Sequence, residues 1–336
     1  MSKLLERPKK PLLHDDPAPP QWPSFNGNSQ FVGTSPSGRV TVFVDSSLGQ
    51  DGLQNARDLV NDADRVCDAN DALFGVPGGA TNVIVFALGG QTDGSGGADH
   101  MSCDFINGAA IEVCASFGNS ARVSALFEAE LSECSMGGNL CGENTGEALS
   151  RWCAATTSNN ALFDFATAPT WATSGMPDFV NTTEPTDGNP ISTGCGMAFI
   201  SWLISQGFTL DKIAPAMVNL GDPGTFAQLY AGFARDSPDN AFPNFLNAVQ
   251  ALPDGVNNDD PFAVANIRAQ VTPAAIAVAA EILAVILADL AARKSAAQIV
   301  ADVNKILGKA GPHGHQNGRA MSCSIKSHRM LPTGKR

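Results

Sequence analysis

Two strand-like stretches bracket one long helical stretch early in the chain, and this succession restricts the possible folds more than any other feature. From Arg39, RVTVFVD alternates Val40, Val42 and Val44, the two-residue period of a strand. Residues 51–73 then carry Leu53, Ala56, Leu59, Val60, Ala63, Val66 and Cys67 at helical spacing, and Gly75 and Pro77 stop the pattern. At 82–88, NVIVFAL is an unbroken apolar run, which predicts a buried strand. Strand, helix and buried strand in this order require helices layered on a sheet. MSCDFINGAAIEVCASFG adds two strands joined at Asn107-Gly108, a strong hairpin signal. Asn119 or Ser120 then caps a helix running to about 136, and another helix starts near Thr145.

The rest of the chain reads differently. Residues 158–190 are irregular and rich in Thr, Pro and Asn, and helical patterns follow over about 193–206, 209–219, 223–234 and 241–252. A Pro- and Asn-rich linker precedes an Ala/Ile/Leu-rich helix over 272–293, opened by Thr272-Pro273. Glu281 and Asp289 interrupt that helix, so it predicts a buried or self-associating element rather than a membrane span. Six prolines before residue 24 predict an extended arm at the start, and a basic, Gly-rich, aperiodic stretch from Lys309 predicts a tail.

Charge and cysteine content narrow the function classes. The net charge is −12, yet residues 1–22 hold +1 and residues 309–336 hold +6, so the body between them carries −19. Such a body repels a nucleic-acid backbone and suits cations or basic partners. No Sec-type leader is visible, which predicts a cytoplasmic protein. The eight cysteines form no CxxC pair, so a zinc ribbon or finger is not expected, and without a leader the thiols are expected to be reduced. Of the five histidines only His100 belongs to the body; the others are His14, His313, His315 and His328.

The helix after the hairpin reads LFEAELSECSM, with Ala129-Glu130-Leu131-Ser132-Glu133, and the next begins Gly146-Glu147-Ala148-Leu149-Ser150. With the element order, these segments resemble the N-terminal subdomain of the zincin metallopeptidases, in the branch whose third zinc ligand is a glutamate. AELSE stands where that family carries HExxH, and GEALS resembles its NExxS segment. The HExxH pattern works because histidines four apart share a helix face while the intervening Glu serves as general base. The resemblance covers roughly residues 39–155. It implies an α+β fold, a small twisted sheet with active-site-type helices, followed by a mainly helical half. It also implies Glu130 in the catalytic base position and Glu147 as a metal ligand. The implied organisation is an arm at 1–38, a zincin-like subdomain at 39–157, a helical subdomain at 158–253, a linker at 254–271, a helix pair at 272–308 and a tail at 309–336.

This chain departs from the family at both histidines. Ala129 offers no ligand and Glu133 replaces the second imidazole, so three protein ligands for catalytic zinc cannot come from this motif alone. His100 can join only if the hairpin brings it across. Glu130, Glu133 and Glu147 would make an oxygen cluster suited to calcium or manganese rather than zinc. The plain alternative is a solvated acidic helix face. Cys195, in STGCGMAF at a helix start, is an alternative nucleophile, because free amides and the helix dipole stabilise a thiolate there. Its expected base is missing downstream, which favours a packing role. The resulting expectation is a catalytically degenerate metallopeptidase-like protein acting in binding or assembly. It has an acidic pocket for one divalent metal (Ca, Mn or Zn), a protein partner or self-association, and no nucleic acid or membrane. The alternatives are an active hydrolase, using either Glu130, Glu147 and His100 with a metal or Cys195, and a structural protein assembling through helix 272–293.

Overall fold

The structure is a computed structural model. It describes residues 16–87, 96–101, 110–159 and 162–263, and from the later chain 282–288, 290, 292, 294–295 and 298–303. The Asn107-Gly108 turn, the first ten residues of helix 272–293, His14, the three late histidines and the tail at 309–336 lie outside the described residues.

Five strands form one sheet in the order β1-β2-β3-β5-β4. They are β1 (Ser29–Thr34), β2 (Val40–Asp45), β3 (Thr81–Phe86), β4 (Ala98–His100) and β5 (Ala110–Cys114). The central strands β2, β3 and β5 are parallel, and β1 and β4 pair antiparallel at the two edges. The burial explains the sequence pattern: Val40, Val42 and Val44 are buried, and so is the run Val83, Ile84, Val85. Parallel strands covered on both faces read as continuous apolar runs, as Val83–Phe86 of β3 does. The long helix α1 (Gly49–Phe74) connects β2 to β3 and ends at Gly75, whose amide donates to the Asp71 carbonyl and whose φ of 73° turns the following chain out of the helix.

Strand β1 corrects the expectation of an arm over 1–38. The prolines end at Pro23 apart from Pro36, so SQFVGT is free to pair with β2. Just before it, the chain is fastened to the sheet: the buried Glu112 carboxylate on β5 accepts from the Ser24 amide (2.9 Å), the Ser24 hydroxyl (2.6 Å) and the Phe25 amide (2.6 Å). Trp22 closes the same corner edge-on against Phe43.

Helices α2 (Ser120–Ser135) and α3 (Asn144–Thr157) join the two halves of the molecule. Val123, Phe127, Leu131 and Cys134 of α2 enter the sheet core, whereas Leu149, Trp152 and Cys153 of α3 enter the core of the helical half. That half contains α4 (Ala168–Thr173), α5 (Pro190–Ser205), α6 (Leu210–Leu220), α7 (Phe226–Ala234) and α8 (Ala241–Gln250), with α4 falling in the stretch expected to be irregular. Phe199 packs 5.2–5.4 Å from Trp202, Phe226 and Phe245, centring an aromatic core. The expected linker begins as part of this body. Asp259 accepts the Thr167 and Ala168 amides at 2.8 and 2.6 Å, and Phe262 is buried. The chain divides into two compact units, Met1–Asn266 and Ile267–Arg336. In the second, 282–288 and 298–303 are helical, and Leu283, Leu287 and Leu290 are exposed. No described helix is long and apolar enough to cross a membrane.

The Glu112 clasp has a measurable consequence. Removing a buried acceptor of three hydrogen bonds leaves donors unpaired, so Glu112→Ala is expected to lower unfolding stability by about 2–4 kcal/mol. Urea denaturation checks this, and Glu112→Gln, which keeps one acceptor oxygen, should lose less.

Candidate functional site

The acidic segments lie side by side. Asn119 caps α2 by accepting from the Arg122 amide, and the sheet-facing residues of α2 then fix which side is left for Glu130 and Glu133. Helix α3 starts close against the preceding turn: a side chain at Gly146 would overlap the Leu140 carbonyl. That close approach brings Glu147, in the first turn of α3, beside Glu133 of α2. From the sheet edge, β4 extends His100 toward both helices.

The result is a cavity of about 430 Å³ lined by Asp99 and His100 of β4, Ala129, Glu130 and Glu133 of α2, and Glu147 and Arg151 of α3. His100 Nε2 is 3.0 Å from Glu133 Oε2 and 3.9 Å from Glu130 Oε2. Arg151 Nε donates to Glu147 Oε1 at 2.6 Å. The side chains of Glu130 and Glu133 are only 14% and 11% exposed, so the solvated-face alternative does not describe them. Leu162, Phe163, Phe165 and Met197 supply an apolar wall. Phe165 is held by two guanidinium groups, Arg122 at 4.6 Å and Arg151 at 5.9 Å from its ring centre, and its carbonyl accepts from Arg151.

Burial and mutual repulsion set the protonation of these acids. Burial pushes Glu130 well above the usual carboxylate range, and the charges of Glu133, Glu147, Asp99 and Asp187 push it further. Burial likewise raises Glu147 to about 7, with Arg151 opposing the rise and Glu133 adding to it. The cavity therefore holds carboxyl groups that keep protons near neutrality unless a cation takes their place.

Among the described residues, His100, Glu133 and Cys141 place one nitrogen, one oxygen and one sulfur within 4.8 Å of one another, a group able to hold a metal ion. Cys141, however, is disulfide-bonded, its partner lying outside the described residues. This corrects the expectation of reduced thiols throughout. Cys67, Cys114, Cys134, Cys153 and Cys195 lie outside any disulfide and are buried in the core, whereas Cys141 sits half-buried in the glycine-rich turn between α2 and α3. The zinc arrangement implied by the sequence resemblance does not fit these residues: Ala129 lines the cavity without a donor, and a bridged sulfur is not a thiolate. One imidazole among carboxylates fits a single divalent ion of the oxygen-preferring kind.

Glu130, Glu133, Glu147 and His100 thus share one cavity, and Cys195 is not among its lining residues. Cys195 is fully buried on α5, and burial drives its thiol strongly upward, the reverse of an activated nucleophile. Arg151, Cys141 and Asp187, which also line or border the cavity, are not site candidates in the sequence. Arg151 had a usable signal, since it follows Glu147 by four residues on one helix. Cys141 had none.

No protein-family profile matches the sequence, and no curated protein matches it. Among solved structures, yeast LTA4 hydrolase in complex with bestatin is a distant neighbour, with a TM-score of 0.36 and 16% identity. The match covers 66% of this chain, which spans 38% of the length of that one. A superposition at this level carries no argument about the site, which stands on its own geometry.

The raised carboxyls predict a pH dependence of folding. Glu128, fully buried, accepts from Thr157 at one oxygen, while the other finds no partner among the described residues, and burial pushes its pKa well up. An acid raised above its unfolded value contributes full stability below about pH 4.5 and loses it as pH rises, through about 7 for Glu147. Urea unfolding in metal-free buffer is expected to show stability falling from pH 5 to pH 8. Glu128→Gln should flatten that fall, by up to about 1.4 kcal/mol per pH unit where one proton is released.

Proposed function

We propose that this chain is a zincin-like protein without peptidase activity, whose acidic pocket takes up a single divalent cation, manganese in preference to calcium or zinc. The observation that carries this reading is the approach of His100 Nε2 to Glu133 Oε2 at 3.0 Å inside a cavity where two more glutamates hold raised pKa values. Isolated buried carboxyls repel one another, and a divalent ion turns that repulsion into attraction. His100 and Glu133 are the ligands, and Glu130 and Glu147 balance the ion's charge. The imidazole argues against calcium, which prefers oxygen donors alone, and the lack of a second imidazole or a thiolate beside it among the described residues argues against zinc. The supporting argument for lost peptidase activity is Ala129: without its imidazole the helix cannot present the paired ligands that peptide hydrolysis by this motif requires.

A bound ion would supply positive charge in the cavity, beside the apolar side chains of Leu162 and Phe165. In this reading the pocket recognises a ligand or protein segment rather than cleaving it.

Electron paramagnetic resonance titration of the full chain with manganese is expected to give one bound ion per chain. His100→Ala and Glu133→Gln should each weaken binding about 10- to 100-fold, and Cys195→Ser should leave it unchanged. Loss of manganese binding in neither site variant would overturn the assignment, as would peptidase activity that depends on Glu130.

A further inference from the structure

Cys141 is the donor of the metal-capable trio that the cation reading leaves unused. Its Sγ lies 3.9 Å from His100 Nε2, and it shares the 4.8 Å grouping with His100 and Glu133. Ligand atoms about 2.0–2.3 Å from one tetrahedral ion sit at such mutual distances. With the disulfide closed, this sulfur carries no charge and is a poor ligand. The position is also accessible to a reductant. Cys141 is half-buried in the turn GGNLCGEN, where Gly137, Gly138 and Gly142 all adopt positive φ, while the five described cysteines outside a disulfide are buried.

We infer that the Cys141 disulfide is a redox gate on the cation pocket, selecting which metal it holds. This rests on the cation reading above and adds a regulation to it. Closed, the bridge leaves an imidazole and carboxylates, which suit manganese. Opened, it frees a Cys141 thiolate beside His100 and Glu133, and the soft sulfur converts the pocket to a zinc site. The reductant is a low-molecular-weight thiol. Two equivalents supply two electrons and two protons, the protein S–S bond breaks, and the small-molecule disulfide forms. On metal binding the Cys141 thiol gives its proton to solvent. Glu133, close to both the imidazole and the sulfur, is common to the two metal sets, so they cannot be filled at once.

Cobalt(II) is the probe, because thiolate ligation to cobalt gives a near-ultraviolet charge-transfer band that imidazole and carboxylate ligation do not. The full chain is titrated with cobalt before and after treatment with the phosphine TCEP, which becomes its oxide as water supplies the oxygen and the two thiol protons. Reduction is expected to tighten cobalt binding about tenfold or more and to produce the band. Cys141→Ser should bind cobalt equally with and without TCEP and show no band. Because that variant can disturb folding, a second arm uses wild-type chain reduced and then alkylated with iodoacetamide at both thiols the bridge releases, which should behave the same way. Cobalt binding that is unchanged by reduction and lacks the band overturns the gate and leaves the cation reading standing. A band that persists in Cys141→Ser also overturns the gate, and absence of cobalt binding in both redox states overturns both.

Discussion

Like charges forced together in a place with little water govern this molecule. Glu130, Glu133 and Glu147 crowd one cavity with Asp99 and Asp187 nearby, and among the described residues His100 and Arg151 alone contribute opposing groups to its lining. In water three carboxylates would separate or ionise freely. Here α2 and α3 hold them in place, so their repulsion is relieved by retained protons, by His100 and Arg151, or by a shared cation. The raised pKa values of Glu130 and Glu147 report the retained protons. The approach of His100 to Glu133 makes the shared cation chemically available.

The scaffold maintains this arrangement through ordinary packing. Helix α2 has no freedom to rotate its acids outward, because Phe127, Leu131 and Cys134 are fixed in the sheet core. Helix α3 is pressed against the Leu140 turn at Gly146 and committed to the other core through Leu149 and Trp152. Edge strand β4 pairs His100 with Ile111 of β5, which sets the height at which the imidazole enters. The two arginines on Phe165 hold the apolar wall against the same acids. Two hydrophobic cores thus meet along a polar seam, and the cavity occupies that seam.

Much of this was legible in the sequence. The valine alternation of β2, the apolar run of β3 and the amphipathic stretch of α1 all became the expected elements, because burial on a sheet face leaves a periodic signature. The acidic motif segments did fall on neighbouring helices. Strand β1 was hidden by proximity to a proline-rich stretch, and its fastening depends on Glu112, almost ninety residues away, a pairing that no local pattern encodes. The burial of Glu133 and the approach of His100 across the sheet edge are likewise tertiary facts. The Cys141 bridge escaped the sequence reading because thiol state depends on which chain segment lies within reach, not on cysteine count.

The central claim is that buried like charges at this seam are completed by an ion. Crystals grown with manganese and measured at its absorption edge test it most directly. The account predicts one anomalous peak within ligand distance of both His100 Nε2 and Glu133 Oε2. Full manganese saturation with no peak there, or a peak only at surface carboxylates, would contradict it.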